Sequence, residues 1–171
     1  MPHKQLVTIL KSNWGDNWLD PFAHFDLSPF AAASIGQVHH ATLSNGEKLA
    51  VKLQYPGIRD SIDSDIDNVA SLLRLSKLIP TNVQFEKLLD EAKQQLHVEA
   101  DYHNELKMLQ RFSTFLDNPL DDKNGISSSF IVPEVYPLLS NQNILVMQFV
   151  EGQSIESLAS LAQSIRDSVA S

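Results

Sequence analysis

The sequence predicts an α+β fold in which a small antiparallel sheet is joined to long helices, and three observations carry that expectation. Leu49-Ala50-Val51-Lys52-Leu53-Gln54 alternates as a half-buried strand does, with Leu49, Val51 and Leu53 on one face and Ala50, Lys52 and Gln54 on the other. Helical periodicity runs over 60–78 and again over 85–116. Turn residues, Ser44-Asn45-Gly46 and Pro56-Gly57, bound the strand on either side.

Composition narrows the class. At 171 residues, 43% hydrophobic and 20% charged, the chain suits one globular domain with one ordinary core. The formal net charge is -8, from 13 basic and 21 acidic residues, so no basic stripe is available for nucleic acid. With no cysteine, disulfides and thiolate metal sites are absent. No apolar run approaches the ~20 residues that span a bilayer. Met1-Pro2-His3-Lys4-Gln5-Leu6 reads neither as a signal peptide nor as an arginine-rich transit sequence.

In chain order, 4–11 reads as the last turns of a helix without a clear cap. Trp14, Trp18, Phe22 and Phe25 then mark a loop or short helix, their rings pinning it to a neighbouring body. From Pro29 the expectation is strand, tight turn, strand, hairpin turn at Ser44-Asn45-Gly46, and a third strand carrying Lys52. The turn, Ala31 to Gly36, is nearly free of side chains, so its backbone N–H groups are open to an anion.

Next comes a helix with Ile62, Ile66, Val69, Leu72, Leu73 and Ile79 on its apolar side. Asp60, Asp63, Asp65 and Asp67 crowd its first half, read as a solvated face in preference to a metal site. After Pro80-Thr81-Asn82 a single long helix carries two apolar stripes. Phe85, Leu88, Leu89, Ala92, Leu96, Glu99, His103 and Leu106 form one; Val98, Tyr102, Glu105, Leu109, Phe112 and Leu116 form the other. Such a helix is either held between two bodies or bent. Each stripe holds a carboxylate, Glu99 or Glu105, which needs a cation if it faces a core. A polar loop covers 118–129, and 131–136 and 143–150 read as the fourth and fifth strands. A final helix starts near Ser154, with Ile155, Leu158, Leu161, Ile165 and Val169 at helical spacing.

Ala50 and Lys52, on one strand face, offer a flat small residue beside a cation, as a nucleotide requires; a surface hairpin with an exposed lysine would show the same two residues. The whole string separates these readings. Pro29-Phe30-Ala31-Ala32-Ala33-Ser34-Ile35-Gly36-Gln37-Val38-His39, then Ala50-Val51-Lys52-Leu53-Gln54-Tyr55-Pro56-Gly57, closely resembles the UbiB/aarF-domain (ADCK-type) atypical kinases of coenzyme Q biosynthesis, within the protein-kinase-like superfamily. Ala50-Val51-Lys52 is similar to the end of the kinase Val-Ala-Ile-Lys motif. Ala31 to Val38 takes the place of the Gly-rich loop, with Ala31 and Ala33 at the first two glycine positions and Gly36 at the third.

The resemblance implies a kinase-like N-lobe: a five-stranded antiparallel sheet, a long helix C and an extra inserted helix at 60–78. It divides the chain into the end of an N-terminal helical extension (1–28), the N-lobe (29–152), and a hinge exit with the start of a C-lobe helix (153–171). It implies ATP or ADP with Mg²⁺ as cofactors. Ala31, Ala32, Ala33, Ser34, Ile35 and Gly36 would cover the phosphates, and Val38 and Ala50 would pack on adenine. Lys52 would hold the phosphates and pair with Glu105. Met147 or Gln148 would lie near the gatekeeper, just before Glu151-Gly152 at the hinge. Glu99-Ala100-Asp101 matches the family's E-x-D motif, but no K-x-G-Q segment, its partner in the family, occurs in 1–28.

Phosphoryl transfer further requires an aspartate to orient the nucleophile and an Asn–Asp pair to hold Mg²⁺. No H-R-D-x-x-x-x-N or D-F-G pattern follows Gly152, so the Mg²⁺ ligands are not in this chain and no metal ligand is assigned. The expectation is the ATP-binding lobe of an atypical kinase or ATPase supporting coenzyme Q biosynthesis, catalytically inactive by itself, a fragment or truncated product. Coenzyme Q biosynthesis proteins and membrane lipid are the implied partners, at the matrix side of the mitochondrial inner membrane, with any targeting segment upstream. The alternatives are a non-catalytic nucleotide-gated scaffold, a lipid-handling module, or a small stand-alone interaction domain. A Cβ at Ala33 denies the loop the conformations glycine reaches and stiffens it. Ala33→Gly in a full-length chain is therefore expected to change nucleotide affinity, and unchanged ADP and ATP titrations would refute this.

Overall fold

The computed structural model describes residues 1–76, 84–116 and 130–152, with Gln163. The helix expected from Ser154, the loop at 118–129, Ile79 and the break at Pro80-Thr81-Asn82 lie outside the described residues. The described chain runs α1 (His3–Trp14), β1 (Phe22–Phe25), β2 (Ala31–Ala33), β3 (Gly36–Leu43), β4 (Lys48–Gln54), α2 (Ile58–Ser76), α3 (Phe85–Glu99), α4 (Tyr102–Leu116) and β5 (Ile144–Gln148).

These elements form an α+β fold around a five-stranded antiparallel sheet of order β1-β3-β4-β5, with β2 also on β3. β1 and β2 share one edge: β1 pairs with Ala41–Leu43 and β2 with Gly36–Val38. Between them the Asp26 carboxylate accepts the Ser28 N–H, and Pro29 has no N–H to donate, so the ladder is interrupted there. The segment expected as loop or short helix is therefore partly a strand. Its rings fasten it to the sheet's own core: Trp14 meets Phe22, and Trp18 meets Phe25, each at 5.4 Å between centroids. The expected strand at 131–136 reduces to a single bridge, Val135 to Met147, so β1 and not that segment completes the five. Around the expected turn, Ala31–Ala33 is strand and only Ser34-Ile35 turns.

Alternation along β4 sorts the two faces. Leu49, Val51 and Leu53, with Ile144 and Val146 opposite them, bury against Leu6 and Leu10 of α1 and against Phe22 and Phe25. Thus α1 and β1, from the stretch expected to end an N-terminal extension, share the sheet's core. α1 is longer than the expected 4–11 and stops at Gly15, whose N–H donates to the Lys11 carbonyl. On the other face Tyr102 and Leu106 of α4 pack on Leu145.

The expected single helix over 85–116 is two. Ala100 is buried, and its carbonyl accepts a hydrogen bond from Gln54 Nε2 at 2.8 Å. Asp101 then caps α4 by accepting the His103 N–H. The break cuts both expected stripes: the first leaves His103 and Leu106 on α4, and the second leaves Val98 on α3. α2 and α3 form an antiparallel pair laced by Arg74–Glu86, Lys93–Asp67 and His97–Asp63. The aspartates of α2 are exposed, Asp63 and Asp67 serve two of these cross-helix pairs, and no metal-binding group of His, Cys, Asp or Glu occurs among the described residues. Leu72, expected on the apolar side of α2, is 67% exposed.

Gly36 of β3 lies close against the backbone of Leu53 in β4. A Cβ there would overlap the Leu53 carbonyl oxygen and lie 3.1 Å from the Tyr102 hydroxyl. Gly36→Ala is expected to lower stability by about 1–3 kcal/mol through overpacking, seen as a lower denaturant midpoint at unchanged slope. His39 is fully buried, its Nδ1–H donating to the Asp26 carbonyl, and burial holds its imidazole below the ordinary 6.5. The unfolded chain gains this proton as pH falls through about 6.5 while the folded chain does not, so stability present above that pH declines below it. His39→Leu should flatten the fall in melting temperature between about pH 7 and 5.

Candidate functional site

Lys52 lies mid-β4, on the face opposite the α1 core, because its neighbours Val51 and Leu53 claim that core. Glu105 lies one turn into α4, on the side turned to the sheet, because Tyr102 and Leu106 anchor that side. Lys52 Nζ donates to both carboxylate oxygens of Glu105, at 2.7 and 2.9 Å. The side chains are 21% and 38% exposed, so solvent still reaches the pair. Lys52 Nζ also stands 4.8 Å from the centroid of the Tyr102 ring. Burial, and secondarily the Glu105 charge, push the Tyr102 phenol well above its usual range, so its hydroxyl stays neutral.

A cavity of about 560 Å³ opens beside the pair, lined by Ser34 and Ile35 of the turn, Lys52, Glu99, Asn104 and Glu105. The β-ladder sets the rest of this face: Val38 opposes Lys52, and Ala50 opposes Met147. Gln148, expected with Met147 near a gatekeeper position, opposes Leu49 and so belongs to the other face by register. Ala31, Ala32 and Ala33 run along the edge of β3, from Val38 to Gly36. Glu99, read in an apolar stripe, is exposed and accepts a hydrogen bond from Gln95, since the break at Ala100 turns α3 away from the sheet. Asp101 is engaged as the α4 cap and does not meet Lys52 in an ion pair.

Two neighbours and an aromatic cluster were not singled out as site residues from the sequence. Tyr102 sits one helical turn before Glu105, a spacing that puts both on one side. Gln54 follows Lys52 by two residues and reaches the Ala100 carbonyl, tying β4 to the start of α4. Phe30 stacks on His40 at 3.9 Å and Phe149 meets His40 at 4.5 Å, closing the Ala50 end of the face.

The site is thus a cation held by a carboxylate beside an open cavity, beneath the Ser34-Ile35 turn. The ABC1 atypical kinase-like domain model matches residues 1–171. The chain belongs to the ABC1 atypical kinase-like family. Among relatives of this family, the atypical kinase COQ8, mitochondrial, of Saccharomyces cerevisiae is 39% identical over 168 residues, covering 98% of this chain and 32% of its own length. The atypical kinase coq-8, mitochondrial, of Caenorhabditis elegans is 37% identical over 99% of this chain and 22% of its own length. This chain thus spans a third or less of these two relatives. Among solved structures, the Rv3197–erythromycin complex from Mycobacterium tuberculosis superposes with a TM-score of 0.76 at 26% identity, over 99% of this chain and 41% of that one. The ABC1 family match agrees with the resemblance read from Ala31–Val38 and Ala50–Gly57.

Proposed function

We propose that this chain is the nucleotide-binding lobe of an atypical kinase or ATPase supporting coenzyme Q biosynthesis in the mitochondrion, at the matrix side of the inner membrane. The observation that carries the reading is the two-oxygen Lys52–Glu105 pair beneath the Ala31–Gly36 hairpin. Glu105 pairs with Lys52 through both carboxylate oxygens, so the Lys52 side chain is already aimed when a phosphate arrives. Ser34 crowds the cavity little beside Lys52, leaving room for a phosphate chain, while Val38, Ala50 and Met147 would offer an apolar surface for a purine.

The residues present fit a nucleotide. ATP or ADP would supply the phosphoryl group and its charge; Lys52 would orient the phosphates, and Glu105 would keep Lys52 in place. The Mg²⁺ ligands and the residue that orients the nucleophile are not found in the 171 residues as H-R-D-x-x-x-x-N or D-F-G, so this chain by itself binds without transferring phosphate. Coenzyme Q biosynthesis proteins and membrane lipid are the proposed partners.

A second reading, a non-catalytic scaffold or lipid-handling module gated by nucleotide, draws on the exposed apolar residues of α2 and α3, Val69, Leu72, Leu75 and Leu88. One variant separates the two. In the intact gene product, Lys52→Ala is expected to weaken ADP and ATP binding by about tenfold or more, the worth of one charge-assisted contact, and to abolish ATP turnover. Loss of binding with no turnover in the unmutated protein would favour the scaffold. Unchanged affinity in Lys52→Ala would overturn the nucleotide site.

A further inference from the structure

An ion pair with this much solvent access is weak by itself. Exposed Lys–carboxylate pairs contribute at most about 1 kcal/mol, and a lysine stem has many rotamers in which to leave its partner. A second contact would add to the hold of Glu105 on Lys52, and Tyr102 is placed to make it. It is 1% exposed, the first residue of α4, and fastened at its backbone by an N–H donated to the Gln142 carbonyl. Its ring carries the Lys52 ammonium on one side and packs with Leu106 and Leu145, with Ile35 of the turn against the same cluster. Its hydroxyl points to the bare Cα of Gly36 and, among the described residues, has no hydrogen-bond partner.

A buried hydroxyl without a partner contributes nothing by hydrogen bonding. What remains is the ring, whose negative face attracts a cation and whose bulk rests on the turn.

We propose that Tyr102 is a positioning residue: its ring face holds the Lys52 ammonium against Glu105 and sets it under the Ser34-Ile35 turn, with the hydroxyl playing no part. The inference deepens the nucleotide-site reading and rests on it for its meaning. The contact itself exists without ligand.

The test reads Lys52 directly in the intact gene product. Acetylation by N-hydroxysuccinimidyl acetate, followed by peptide mass spectrometry, reports how firmly the ammonium is held, and exposed Lys48 on the same strand serves as the internal reference. Tyr102→Phe keeps the ring and should leave both the Lys52 acetylation rate and the ADP affinity as in the unmutated protein. Tyr102→pentafluorophenylalanine keeps the ring's shape but reverses its charge distribution. It should speed acetylation of Lys52 by about three- to tenfold, leave Lys48 unchanged, and weaken ADP binding. Far-ultraviolet circular dichroism checks that both variants fold. Equal Lys52 rates in the two variants would overturn the proposal, because a purely steric ring would suffice. Loss of protection or of ADP affinity in Tyr102→Phe would overturn it too, since the hydroxyl would then be at work. If the unmutated protein binds no nucleotide, the functional reading fails while the acetylation rates still decide the role of Tyr102.

Discussion

A lysine turned inward from the middle of a strand dictates much of this structure. Its stem crosses an apolar layer and its ammonium must find a carboxylate, an aromatic face or water before that layer closes. β4 cannot supply those groups, because its neighbouring side chains alternate into the opposite core. They come instead from α4, where Tyr102 and Glu105 are one turn apart. Docking α4 against β4 is therefore the step that makes a site from two unremarkable segments. Gln54 serves the same junction by taking up the Ala100 carbonyl that the end of α3 leaves open.

The sheet has two unlike faces for a related reason. One is closed by α1 and the aromatic rings of β1, with Leu6, Leu10, Leu49, Val51 and Leu53 fully buried. The other is closed only in part, by Tyr102, Leu106 and Leu145, and its remainder holds Lys52, the turn and the open cavity. A rigid, dry face beneath a partly open polar one gives a fixed platform on which a ligand can be oriented at little reorganisation cost. Gly36 binds the two arrangements together, since its missing Cβ leaves room both for the Leu53 carbonyl and for the Tyr102 hydroxyl.

Where the reading of the sequence and the structure part, the cause is tertiary in each case. Periodicity runs on through Ala100 because both helices carry apolar residues at helical spacing, so it registers no break; the break is enforced by Gln54 and by the capping carboxylate of Asp101. Phe22–Phe25 has strand-forming phenylalanines but at four residues is too short to announce itself as a strand, and it becomes one only because the edge of β3 lies free beside it. The segment 131–136 has strand-like residues but meets its neighbour at one bridge only, and propensity without a partner makes no strand.

What the sequence by itself determined is what depends on local spacing and residue type: the alternation that turns Lys52 away from the α1 core, the hairpin at Asn45-Gly46, the helical nature of 60–76, 85–99 and 102–116, and the Ala-rich string that carries the family resemblance. What only the tertiary structure decided is which groups meet. Lys52 and Glu105 are 53 residues apart, and Tyr102 lies at similar remove. Periodicity places a side chain on a face of its own element; the partner across the gap follows from how elements pack, and that packing is settled by the whole core at once.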